Sequence, residues 1–110
     1  MNKKYQVSYS NTFEKNVKRL FKKHKSLKSD LRNFINNLEE NLKNSVEIKS
    51  NIFKLRLAIK SKSQGKSGGA RIIMYKITED FKIYLLHIYD KSEKKNVNIT
   101  FIKDLIKNEI

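Results

Sequence analysis

The chain has 110 residues, enough for one domain over 1–110 with a real core and too few for two independent ones. Its 25 Lys and Arg against 11 Asp and Glu give a formal charge of +14, more than solubility requires, and predict salt-sensitive attraction to phosphate. The absence of Cys excludes a disulfide framework and a thiolate zinc site, no acidic cluster has metal-binding spacing, and no apolar run approaches the ~18 residues of a membrane span, so no metal, cofactor or membrane is expected and the protein reads as cytoplasmic.

Tyr5, Val7 and Tyr9 alternate with Lys4, Gln6 and Ser8, which predicts a short half-buried strand. Ser10, Asn11 and Thr12 then offer N-cap oxygens to a helix whose apolar positions are Phe13, Val17, Leu20 and Phe21. That helix is expected to run to about His24, with His24 serving its C-terminal dipole and a flank of lysines on its outer face. Ser29 and Asp30 can cap a second helix with the stripe Leu31, Phe34, Ile35, Leu38 and Leu42, making a helical hairpin with one apolar side. Residues 41–51 are polar and non-periodic and read as a loop.

A strand follows in which Phe53, Leu55, Leu57 and Ile59 share one face while Lys54 and Arg56 share the other. The glycine-rich stretch 61–69, with Gly65, Gly68 and Gly69, reads as a mobile hairpin tip. Residues 70–77 are apolar on both faces, as in a central strand, and a reversal at Thr78, Glu79 and Asp80 leads to a further apolar strand over 81–89. Ile99, Ile102, Leu105 and Ile106 mark a C-terminal helix within 98–110. The expected class is α+β, with the order β-α-α-β-β-β-α and a mainly antiparallel four-stranded sheet. A helical hairpin would cover one face, leaving the opposite face open for Lys54 and Arg56.

Between Glu47 and Glu79 there is no acidic residue but eight cations: Lys49, Lys54, Arg56, Lys60, Lys62, Lys66, Arg71 and Lys76. A row of cations standing off a half-buried sheet is suited to a polyanion, nucleic acid first.

The segments 53–58 (FKLRLA), 65–73 (GKSGGARII) and 83–93 (IYLLHIYDKSE) resemble the RelE/HigB branch of the RelE/ParE toxin superfamily. The resemblance implies a RelE-like fold and a bacterial toxin–antitoxin module. In such a module the toxin enters the ribosomal A site and cleaves bound mRNA without metal, and a cognate antitoxin neutralises it. Cleavage by the RNA's own 2′-hydroxyl needs a proton acceptor, cations for the phosphorane and a donor for the departing 5′-oxygen. Lys54, Arg56 and Arg71 resemble the family's basic positions. Lys54, crowded by arginines that disfavour its own charge, is the candidate base, and Arg56 and Arg71 the transition-state cations.

Members of the family that carry a further arginine and tyrosine after the last strand differ from this chain, where 91–98 reads KSEKKNVN. Tyr89 or Lys91 can replace the missing donor, although Tyr89 reads equally as a core-edge aromatic. Lys66, Lys94 and Lys95 are candidates for phosphate contacts with mRNA or ribosomal RNA. Tyr75 is a candidate for stacking on a base or for packing beneath the last helix. His87, amid Leu85, Leu86 and Ile88, reads as a satisfied core histidine. A ParE-like gyrase inhibitor and a catalytically inactive RNA-binding module are the alternatives to the nuclease.

Overall fold

The computed structural model describes residues 4–62, 68–77, 79–94 and 96–110. The chain begins with strand β1 (Gln6–Tyr9) and helix α1 (Asn11–Phe21), then helices α2 (Leu27–Asn36) and α3 (Leu38–Lys43). Strands β2 (Val46–Lys49) and β3 (Ile52–Leu57) lead through a 3-10 turn at Lys60–Lys62 to β4 (Ala70–Ile77), β5 (Lys82–Asp90) and helix α4 (Ile99–Glu109). The five strands form one sheet in the order β1-β5-β4-β3-β2, antiparallel except that β1 runs parallel to β5.

Local chemistry explains these boundaries. The Ser10 hydroxyl accepts from the Phe13 N–H at 3.0 Å, capping α1, and donates to the Leu86 carbonyl at 2.7 Å, tying the cap to β5. Helix α1 stops at Phe21, three residues before the expected His24. The second helix starts at Leu27 rather than at Ser29 and Asp30, because Asp30 turns inward to accept from Ser26 Oγ at 2.7 Å and from the Lys60 N–H at 3.1 Å. It also breaks at Asn37, whose side-chain amide donates to the Asn33 carbonyl at 2.9 Å and whose backbone leaves helical geometry (φ −111°, ψ 31°). The predicted apolar stripe is therefore carried by two helices, α2 and α3.

The expected loop over 41–51 contains β2, so the sheet has five strands instead of four. Val46 and Ile48 alternate with Glu47 and Lys49, but the strand is only 4 residues long, and its period is lost among polar neighbours. The glycine-rich segment is also not simply a tip. Gly69 is buried where β4 starts, and a Cβ there would run into the Leu57 carbonyl oxygen. Gly65, Lys66 and Ser67 lie outside the described residues, as does Thr78 at the next reversal.

Two apolar layers sandwich the sheet. One joins Phe13, Leu20, Leu31 and Phe34 of the helical hairpin to Leu55, Leu57, Ile72, Met74, Ile83 and Leu85. The other packs Ile102 and Leu105 of α4 on Ile52, Ile73, Leu86 and Tyr89. The face opposite the hairpin is therefore not open along its length: α4 covers much of it. Glu109 fixes the far end of α4, its carboxylate accepting from the Thr12 N–H at 2.8 Å and the Thr12 hydroxyl at 2.7 Å. Burial alone would raise the Glu109 carboxyl; the Thr12 bonds and the nearby Lys15 charge outweigh it and hold it below its ordinary value.

An irregularity between Ile73 and Met74 skips one residue of β5, so Leu86 joins the α4 layer while His87 lies against Tyr89 and Phe101, with ring centroids 5.8 and 5.3 Å away. His87 is buried, as expected for a core residue, but neither ring nitrogen has a hydrogen-bond partner among the described residues. Burial, followed by the charges of Lys94 and Arg19, lowers its pKa from 6.5 to about 4.

From pH 6.5 down to about 4 the unfolded chain should therefore bind a proton at His87 that the folded protein refuses. The stability contribution is complete above that window and declines as pH falls, by up to about 1.4 kcal/mol per pH unit. Urea denaturation of His87→Leu at pH 7, 6, 5 and 4 should show a shallower acid decline than the parent. A second expectation concerns Gly69→Ala, which forces a methyl against backbone and should cost about 2–3 kcal/mol in the same assay.

Candidate nucleic-acid interface

Antiparallel pairing places Arg56 opposite Arg71, and Arg71 opposite Tyr89. Directly paired residues project from the same face, so the three side chains form a row across β3, β4 and β5, roughly 10 Å from end to end. Lys54 belongs to the adjoining row, opposite Ile73, which is opposite His87. Four of the five residues expected to carry chemistry therefore share one face, and the pairing brings them together without any loop rearrangement.

Their accessibility is graded. Arg56 is exposed and Lys54 half-buried, whereas Arg71 retains 6% and Tyr89 3% of its surface. The row is therefore open at β3 and covered at Arg71 and Tyr89. Burial and then the Arg56 charge pull the Arg71 guanidinium below its ordinary value, with Tyr89 opposing them. One Arg71 guanidinium nitrogen donates to the Ala70 carbonyl at 3.1 Å, which fixes the side chain near its own strand. Burial raises the Tyr89 phenol, with Arg71 opposing, so this hydroxyl keeps its proton. It is enclosed and has no hydrogen-bond partner among the described residues.

Lys91, the fifth candidate, is half-buried just past β5, and its N–H donates to the Gly69 carbonyl at 3.0 Å, which holds this segment beside the start of β4. Lys94 is exposed, its ammonium 6.0 Å from the Phe101 ring centroid. Tyr75 lies four residues along β4 from Arg71, half-buried in the α4 layer opposite Ile52 and Tyr84, and so stands apart from the row. Lys66 and Lys95 lie outside the described residues.

Sequence reasoning missed Asp90. Buried at the end of β5, it accepts from Lys62 Nζ at 2.7 Å, from the Ser92 N–H at 2.9 Å and hydroxyl at 2.7 Å, and contacts His24 Nε2 at 2.9 Å. His24 therefore serves Asp90 rather than the carbonyls of α1. Burial alone would raise the Asp90 carboxyl, but the bonds from Lys62, Ser92 and His24 outweigh it and hold it far below the usual range. This carboxylate anchors the residue next to Tyr89 and neutralises Lys62, removing that lysine from the cations available to a ligand. The signal was present as an Asp followed two residues later by Ser, a turn-forming pair. Among the described residues no three His, Asp or Glu side chains gather where they could share a metal ion.

The family model for the RelE toxin of the RelE/RelB toxin–antitoxin system matches residues 11–107. A solved structure of a double arginine-to-alanine mutant of the E. coli toxin RelE in the free state superposes with a TM-score of 0.52 at 14% identity. That alignment covers 96% of this chain and 98% of the other, and at this identity it speaks for the fold. The family match runs from the first turn of α1 into the last turns of α4 and includes every strand of the cationic row, and on that match the chain belongs to the RelE toxin family.

Proposed function

We propose that this toxin is a ribosome-dependent endoribonuclease that cleaves mRNA in the A site by attack of the RNA's own 2′-hydroxyl. The observation that supports this most is the register placing Arg56, Arg71 and Tyr89 in one row with Lys54 beside them. Lys54 accepts the 2′-hydroxyl proton, and the two guanidiniums stabilise the negative charge that builds on the phosphorane. Lys91, half-buried just past β5, protonates the departing 5′-oxygen, because the Tyr89 hydroxyl is enclosed in the α4 layer. The chemistry needs no metal-bound water, because the nucleophile belongs to the substrate. Lys94 adds backbone contact without reading sequence.

Induction in a bacterial host followed by mapping of mRNA 5′ ends tests this directly. The parent should stop translation and leave cuts within translated messages. Arg56→Ala, at an exposed position, should lower the cleavage rate by about 10²–10³-fold with no loss of folding. DNA damage with translation initially intact would instead support a gyrase inhibitor, and neither effect would support an inactive binding module.

The antitoxin is an acidic, amphipathic segment in this reading. Between α1 and α2 lies a groove of about 700 Å³ with Val17, Phe21, Leu31 and Ile35 in it and Lys18, Lys28 and Arg32 along it. An apolar floor with a cationic margin matches a helix that carries leucines on one side and carboxylates beside them. Replacing Lys18 and Arg32 with Glu should weaken capture of a co-expressed cognate antitoxin at least tenfold while leaving RNA cleavage intact; unchanged capture would place the antitoxin elsewhere.

A further inference from the structure

Along β4 the candidate residues fall on three levels. Lys54 stands opposite Ile73, Arg56 and Tyr89 stand opposite Arg71, and the Lys91 N–H continues the β4–β5 ladder by donating to the Gly69 carbonyl at 3.0 Å. Positions 69, 71 and 73 share a face, so Lys54 and Lys91 flank the arginine level, each roughly 7 Å from it along the strand axis. Attack in line at phosphorus needs this order: an acceptor for the incoming hydroxyl proton on one side, cations at the phosphorus, and a donor for the departing oxygen on the other. Lys54 is placed by strand pairing to Val46 and Ile73, whereas Lys91 lies past the end of β5, where the turn that follows places it.

Asp90 builds that turn. Its carboxylate accepts from the Ser92 N–H at 2.9 Å and hydroxyl at 2.7 Å, and its carbonyl accepts from the Glu93 and Lys94 N–H groups, both at 3.1 Å. Two other parts of the chain moor the same carboxylate: Lys62 Nζ, 2.7 Å away, comes from the 3-10 turn after β3, and His24 Nε2, 2.9 Å away, lies three residues past α1. Glu93 adds contacts to Arg19 and Lys23 at 3.4 and 3.3 Å. The Asp90 side chain is 4% exposed and that of Lys62 10%, so the pair is nearly dry. A buried ion pair adds little net stability over apolar side chains of the same size, but its directed bonds fix where the chain runs. Asp90, opposite Ala70, belongs to the hairpin face, and Lys91, next in sequence, has the parity of the row.

We propose that Asp90, braced by Lys62 and His24, is a positioning residue that holds Lys91 across the arginine pair from Lys54, as the acid for the departing 5′-oxygen. This role rests on the nuclease reading above. As the 2′-oxygen bonds to phosphorus and passes its proton to Lys54, the bond from phosphorus to the 5′-oxygen breaks, and that oxygen takes a proton from the Lys91 ammonium. A donor displaced by about 1 Å forfeits about 10²-fold in rate, so loosening the turn is felt in the chemical step rather than in binding.

The test uses ribosomes programmed with mRNA whose scissile phosphate carries either the natural 5′-oxygen or a bridging 5′-sulfur, which departs as a thiolate without a proton. On the oxygen substrate Lys91→Ala should lower kcat about 10²-fold and Asp90→Asn about 10-fold, each with KM nearly unchanged. On the sulfur substrate both variants should cleave at nearly the parent rate. In the double variant Asp90→Asn should add nothing to the loss from Lys91→Ala. Should Asp90→Asn fail to fold, Lys62→Gln loosens the brace from its other end and is held to the same outcomes. A loss from Asp90→Asn that is equal on both substrates, losses that multiply in the double variant, or an unchanged kcat overturns the role of Asp90. Failure of the parent to cut ribosome-bound mRNA sinks the nuclease reading and the brace with it, while cleavage by the parent with any of those three outcomes sinks the brace alone.

Discussion

The register between β3 and β4 is the constraint on which the site depends. Pairing Leu55 with Ile72 and Leu57 with Ala70 buries one set of side chains under the helical hairpin, and the same pairing sets Arg56 against Arg71. A slip of one residue would exchange the faces of β3, pushing Lys54 and Arg56 into the apolar layer and Leu55 and Leu57 out of it. The energetic demand of the core therefore enforces the geometry of the cations. No separate device is needed to bring two like charges together, because each leucine buried on one face of β3 fixes a neighbouring cation on the other.

Holding like charges side by side has a cost, and the surroundings show how it is limited. Arg56 remains in water, where solvent screens it, while the carbonyl of Ala70 accepts from Arg71. Asp90 draws in Lys62 and His24 rather than either arginine. The row thus keeps its net positive charge while the lysine nearest the end of β5 is neutralised. Exposed pairs such as Lys23 with Glu93 contribute little to stability by comparison.

Much of this was legible in the sequence because burial imposes strict periods. Alternation in 53–59 and a run apolar on both faces in 70–77 located β3 and β4, and helical spacing of apolar residues located α1 and α4 within a few residues. What escaped notice was set by single polar side chains. Asn37 splits a helix whose apolar stripe continues across the break, so the pattern alone could not reveal it. Asp30 begins as a plausible cap and ends as an internal acceptor, since the partner it needs, the Lys60 N–H, is thirty residues away. Strand β2 is too short for its alternation to stand out. The grouping of Lys54, Arg56, Arg71 and Tyr89 on one face was readable; the covering of Arg71 and Tyr89 was not, because it depends on where α4 docks.

The contact between Glu109 and Thr12 joins the last turn of the final helix to the first turn of the first, and β1 pairs with β5. Synthesis proceeds from the amino end, so the opening segment waits for β5 and α4 to emerge before these hydrogen bonds can form. The native topology thus closes only after the last strand and the last helix have been made, which separates synthesis of the cationic row from its final enclosure in time.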